Sequence, residues 1–107
     1  MYPAALHIAA RNLISATGAH AVILFGSRAA GDAHPDSDWD LAVILPNDIT
    51  HGQWTPSTLQ PLVTGLGQSF HVIAIRKSIY EAARLDPSSM SAEIHRDGLV
   101  VAGSPGL

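Results

Sequence analysis

Residues 21–45 hold the reading that decides the fold: Ala21-Val22-Ile23-Leu24-Phe25, then Gly26-Ser27-Arg28-Ala29-Ala30-Gly31-Asp32-Ala33-His34-Pro35-Asp36-Ser37-Asp38-Trp39-Asp40, then Leu41-Ala42-Val43-Ile44-Leu45. The two apolar runs have strand length and read as strands. The segment between them is rich in glycine, serine and aspartate, a poor composition for a core and a good one for holding a phosphate and a cation. Gly26, without a Cβ, lets a ligand approach the backbone. A turn or helix opening at Ser27 offers free N–H groups and a hydroxyl to an anion. If Asp38 to Leu45 is a strand, residues two apart share a face. Asp38 and Asp40 then point one way, Trp39 and Leu41 the other. Neighbouring carboxylates repel and are relieved by a cation. Mg²⁺ prefers oxygen ligands and completes its shell with water and substrate phosphate. Each half has a plainer reading: Gly-Ser as a turn, Asp-Ser-Asp as a cap or Asx-turn. Their succession in strand–turn–loop–strand order favours a phosphate grip followed by a metal clamp.

Gly26-Ser27, ten intervening residues and Asp38-Trp39-Asp40 resemble the signature of the DNA polymerase β-like nucleotidyltransferase superfamily. The fuller string, Gly-Ser-Arg-Ala-x-Gly followed by Ser-Asp-x-Asp-Leu, is similar to its minimal nucleotidyltransferase branch, which includes antitoxins paired with HEPN-domain toxins. The resemblance implies that Gly26 and Ser27 hold the triphosphate of ATP, that Asp38 and Asp40 carry Mg²⁺, and that a third acid on a later strand completes the site.

The rest of the chain fits one domain spanning residues 1–107, long enough for a single modest core. Apolar residues make up 47% and charged residues 14%, which excludes a disordered chain. A net charge of −3 argues against a nucleic-acid binder working through broad positive charge. There is no cysteine, hence neither a disulfide framework nor a thiolate metal site. No apolar run reaches membrane-spanning length, and no basic region precedes the first apolar residues as in a signal peptide. The expected setting is cytoplasmic, without membrane contact.

Leu6, Ala9, Ala10, Leu13 and Ile14 recur at helical spacing and predict a helix from about Pro3 to Thr17, ended by Gly18. His7 and Arg11 belong to its solvated face. His20–Phe25 is the first strand and Asp38–Leu45 the second, stopped by Pro46-Asn47-Asp48. Arg28 either meets a nucleotide phosphate or pairs with an acid of the 31–37 loop. Trp39 packs on the side away from the carboxylates. Thr55-Pro56 caps a helix whose stripe is Leu59, Leu62, Val63 and Leu66, with Pro61 disturbing it and Gly65-Leu66-Gly67 closing it. In the third strand, Ser69–Arg76, Phe70, Val72 and Ala74 face one way and His71, Ile73 and Ile75 the other. Ser78 to Leu85 is a short helix. Asp86-Pro87 starts another that runs to Asp97, and Gly98 ends it. Leu99-Val100-Val101 adds a fourth strand, and residues 104–107 fray. Strands alternating with helices make an α/β or α+β fold. The resemblance sharpens this to a small mixed twisted sheet with helices packed on one face.

The departure from the family pattern is in the third strand. No Asp or Glu occurs from Ile49 to Tyr80, and the position matching the third acid is His71. An imidazole there can serve as a general base near neutral pH. It can also be a metal ligand, better suited to Mn²⁺ or Zn²⁺ than to Mg²⁺, or mark a site that binds without chemistry. The histidines at 7, 20, 34, 51 and 95 lack metal-ligand spacing.

Two functions follow. As an enzyme, the chain moves AMP from ATP onto a hydroxyl acceptor, with pyrophosphate leaving. The resemblance implies a tyrosine of a HEPN toxin as acceptor, so that the chain is an antitoxin, alone or in a homo- or hetero-oligomer. As a binding module, it covers a partner stoichiometrically without transfer.

Overall fold

A computed structural model describes residues 2–50 and 52–104. Helix α1 (Ala4–Thr17) leads into strand β1 (Ala21–Phe25), the short helix α2 (Ser27–Ala30) and strand β2 (Trp39–Leu45). Helix α3 (Pro56–Leu59) and a 3₁₀ turn (Gln60–Leu62) precede strand β3 (Phe70–Arg76). Helices α4 (Lys77–Ala83) and α5 (Met90–Asp97) and strand β4 (Leu99–Gly103) complete the chain. The sheet order is β3-β2-β1-β4. β1 runs antiparallel to both β2 and β4, whereas β2 and β3 are parallel. Strands alternating with helices are what the sequence patterning predicts, and the small mixed sheet is what the resemblance implies.

The apolar runs are continuous in β1 and β2 because both faces of the sheet are covered. On one face Val22, Leu24, Leu41 and Val43 pack with Leu6, Ala9, Ala10 and Leu13 of α1 and Leu59 of α3. On the other, Ala21, Ile23, Phe25, Ala42 and Ile44 pack with Tyr80 of α4 and Ile94 of α5. The helices therefore lie on both faces rather than on one. The reason is the period of two: alternate residues of β1 are apolar in both directions, and each set needs a cover.

Local differences have local causes. The helix from Pro56 stops after one turn, because Pro61 has no N–H to donate and its ring crowds the preceding turn; the chain tightens to 3₁₀ over Gln60–Leu62. Helix α5 begins at Met90 with Ser89 as its cap, Ser89 Oγ accepting from Ala92 N at 3.0 Å. Asp86 instead folds back on Ser88, accepting from its N–H and its hydroxyl at 3.0 and 2.8 Å. β2 begins at Trp39 and leaves Asp38 just outside the ladder. β4 extends to Gly103, and Ser104 N donates to His20 O at 2.8 Å, so Ser104 is held; the expected fraying at 105–107, like the reading of His51, lies outside the described residues. Among the described residues no helix is long and apolar enough to cross a membrane.

The joint that positions the site is Gly26. It ends β1 at φ 74° and ψ −156° and caps α2. A Cβ added there would overlap Asp40 Oδ2 and stand 3.2 Å from Asp40 Cγ. Both the positive φ and the close carboxylate require glycine. Gly26→Ala is expected to destabilise the chain by about 2–4 kcal/mol in urea unfolding. Asp40→Ala in the same chain should recover the part due to the overlap. Simple additivity of the two changes would show that Asp40 does not press on position 26.

Candidate active site

Three adjacent strands bring their ends together. β1 runs into Gly26-Ser27, β2 starts behind Asp38, and β3 starts behind Ser69. The register pairs Phe25 with Asp40 and Asp40 with His71. Gly26, Ser27, Asp38, Asp40 and His71 thus gather at one end of the sheet.

Helix α2 is a single turn. Its carbonyl-side bonds run from Ala29 N and Ala30 N to Gly26 O at 3.1 and 3.0 Å, and from Gly31 N to Ser27 O at 3.0 Å. The N–H groups of Ser27 and Arg28 precede the first intrahelical donors and point out of the turn. The turn starts at Gly26, where a Cβ would overlap the Asp40 carboxylate.

The two carboxylates are held differently. Asp38 Oδ1 accepts from Ser69 Oγ at 2.6 Å, a short bond to an ionised acceptor. Asp40 lies between Gly26, beside Oδ2, and His71, whose Nδ1 stands 3.4 Å from Oδ1. Burial raises the Asp40 pKa above its ordinary value; His71 opposes the rise and the charge of Asp38 adds to it. The Asp40 side chain is 26% exposed and that of His71 59%. The imidazole is therefore open to an incoming group while its Nδ1 faces a carboxylate. In the neutral ring, an Nδ1–H directed at Asp40 leaves Nε2 as the proton acceptor.

Arg28 does not pair with an acid of the 31–37 loop among the described residues. Its Nη2 donates to Ser37 O at 2.8 Å and Pro35 O at 3.2 Å, and its Nε to Ser37 O at 3.3 Å. The guanidinium carbon lies 4.4 Å from the Trp39 ring centroid. The 31–37 loop curls so that its carbonyls, not Asp32 or Asp36, converge on the guanidinium; Arg28 forms no ion pair among the described residues. Its charge thus remains available to the field of the site while its position is fixed. Trp39 is buried on the α1 face, as its place between the aspartates predicts. The Ser69 hydroxyl was not legible as a site residue. The signal was its place one residue before β3, which the parallel register sets opposite Asp38.

Among the described residues no group of three His, Cys, Asp or Glu side chains is arranged to hold a metal ion. Two carboxylates are too few for an all-protein cage. They do fit a hard cation that brings its remaining oxygen ligands as water and phosphate, which would also relieve the repulsion that Asp38 adds to the burial of Asp40.

Residues 11–84 match the family described as Polymerase beta, Nucleotidyltransferase. No curated protein matches the chain significantly. Among solved structures, a chain from one described as "Crystal structure of the toxin-antitoxin with AMP-PNP" is similar, with 20% identity and a TM-score of 0.59 over 95% of this chain and 75% of that one. At that identity the likeness shows the fold alone. The family match spans more than half of the sequence and includes every residue gathered at the sheet end, and the chain belongs to the polymerase beta nucleotidyltransferase family.

Proposed function

We propose that the chain is an Mg²⁺-dependent nucleotidyltransferase that moves AMP from ATP onto a hydroxyl acceptor. The acceptor in this reading is a tyrosine of a HEPN-type toxin, and the chain is its cytoplasmic antitoxin. The observation that carries the proposal is the contact of Asp40 with the Cβ-less Gly26. It brings the start of the Gly26-Ser27 turn against Asp40, one carboxylate of the pair. The similarity to a chain of a toxin-antitoxin structure with AMP-PNP supports the nucleotide and the partner class.

In this mechanism the N–H groups of Ser27 and Arg28 and the Ser27 hydroxyl bind the β- and γ-phosphates. Asp38 and Asp40 are the residues that would hold Mg²⁺, and the ion would supply positive charge to offset the charge developing on the leaving pyrophosphate. Ser69 fixes the rotamer of Asp38 through its 2.6 Å bond. Asp40 orients His71, and Nε2 of that imidazole takes the proton of the attacking hydroxyl. The exposure of His71 leaves room for an acceptor carried on a large partner.

A second reading is favoured by one observation. β3 carries no carboxylate, and the register sets His71 directly across from Asp40 where an acid would complete the metal site. In that reading the chain binds nucleotide or toxin without transfer.

Intact-mass measurement of the chain and the product of its adjoining gene, with ATP and Mg²⁺, separates the two. The proposal expects gains of one or more AMP units on the partner, lost in Asp38→Asn. A stable complex without any gain would favour the binding module. His71→Gln should lower the transfer rate by about 100-fold, the scale of a lost general base, and His71→Asp should restore part of it. Equal rates for His71→Gln and the unmodified chain would remove His71 from the mechanism.

The electrostatics yield a separate expectation. The Asp40 carboxyl binds its proton more readily in the folded chain than in the unfolded one. Its contribution to stability is therefore present at low pH and is lost as pH rises from 3.8 through the raised value. Without divalent metal at pH 7, Asp40→Asn should raise Tm by about 2–4 °C. Mg²⁺ should raise the Tm of the unmodified chain and not that of Asp40→Asn. An Asp40→Asn protein that melts lower than its parent would contradict this assignment.

A further inference from the structure

Beside Asp38 the sheet end opens into a cleft of about 540 Å³, formed by the Pro35–Ser37 loop and the segment from Gln60 to Phe70. Ser37 and Ser69, on its wall, flank the aspartate site. The lining is polar but holds only one ionisable side chain, Asp36, and no cation. Such a surface suits a neutral hydrogen-bonding group rather than a phosphate.

Two glutamines give the cleft a defined pattern. Trp39 Nε1 can only donate, and it donates to Gln68 Oε1 at 3.1 Å. That bond turns the Gln68 amide nitrogen, with its two N–H donors, away from the indole. Phe70 O can only accept, and Gln60 Nε2 donates to it at 3.2 Å. That bond turns Gln60 Oε1 the other way. The chemistry of each partner thus sets each amide orientation. No further partner meets either outer atom among the described residues, so each of these two lining glutamines keeps one amide atom, a donor on Gln68 and an acceptor on Gln60, for a ligand. Gly65 and Gly67 add wall without side chains, with open space where a Cβ would stand; a flat ring can lie against it.

We propose that this cleft holds the base of the donor nucleotide. Gln68 Nε2 donates to a ring nitrogen such as adenine N1, and Gln60 Oε1 accepts from the adjacent exocyclic amine. The assignment rests on the nucleotidyltransferase reading above. The strand order lays the nucleotide across the sheet end: phosphate tail at Ser27 after β1, α-phosphate at Asp38 and Asp40 of β2, base beyond Ser69 at β3.

Calorimetric titration of the whole chain with Mg-ATP, Mg-tripolyphosphate and the ATP analogue lacking the exocyclic amine tests it. Gln60→Ala and Gln68→Glu should each weaken Mg-ATP by about fivefold to tenfold, with tripolyphosphate changed by less than about twofold. Gln68→Glu keeps an oxygen for Trp39 and replaces only the outer donor, so its fold is preserved. The unmodified chain should prefer ATP to the amine-free analogue, and Gln60→Ala should bind the two alike. Unaltered ATP affinity in both variants, or a matching loss for tripolyphosphate, would overturn the base assignment alone. An unmodified chain that binds neither ATP nor tripolyphosphate would overturn the nucleotide reading and the base assignment with it.

Discussion

Asp40 can stand where it does only because residue 26 has no β-carbon. That single steric permission connects the end of β1 to the start of β2 at a distance no other residue allows. It has an electrostatic counterpart. The carboxylate is drawn into partial burial beside Gly26, and His71 does not restore its pKa to the ordinary range. The fold therefore holds one charge in a place it does not favour. Functional sites regularly carry such local cost, because the missing counter-charge arrives with the ligand.

The sheet makes that position rigid. β1 and β2 lie at its centre, each covered on both faces, and their five paired positions run without interruption from Ala21 and Ile44 to Phe25 and Asp40. The apolar residues above and below Leu24, Leu41 and Ala42 leave the strand ends little freedom to shift. Loops supply what the strands cannot. Arg28 draws the carbonyls of Pro35 and Ser37 onto its guanidinium and rests on Trp39, so the segment that delivers Asp38 is tied to the helix turn that precedes it. One side chain thereby fixes the spacing between the two halves of the motif.

Much of this was legible in residue order. The apolar runs gave β1 and β2, the 3.6-residue stripe gave α1, and Gly26-Ser27 and Asp38-x-Asp40 stand out in the sequence as the segments that the fold gathers at one end of the sheet. The features that escaped are of another kind. Helices on both faces depend on which residues of a wholly apolar strand find which partner, and a run such as Ala-Val-Ile-Leu-Phe carries no alternation to say so. The bond between Ser69 and Asp38 spans two strands, and only register creates it. Arg28 bonds to main-chain oxygens, which every residue possesses, so no side chain in the loop announces it. The start of α5 at Ser89 rather than Asp86 reflects competition between adjacent capping residues. Asp86 was taken by its own local turn.

The two ends of the described chain leave the sheet on opposite sides. Ser104 is bonded to His20, before β1, at the end remote from Gly26. Tyr2 packs edge-on against Trp39 at 5.8 Å, at the end that carries Gly26, because α1 runs back along the sheet. A tag, linker or immobilising tether joined after Ser104 consequently emerges behind the molecule and leaves the cleft clear. The same attachment ahead of Tyr2 starts beside Trp39 and the Arg28 loop, next to the candidate site. Surface-capture formats and fusion proteins built on this chain inherit that polarity.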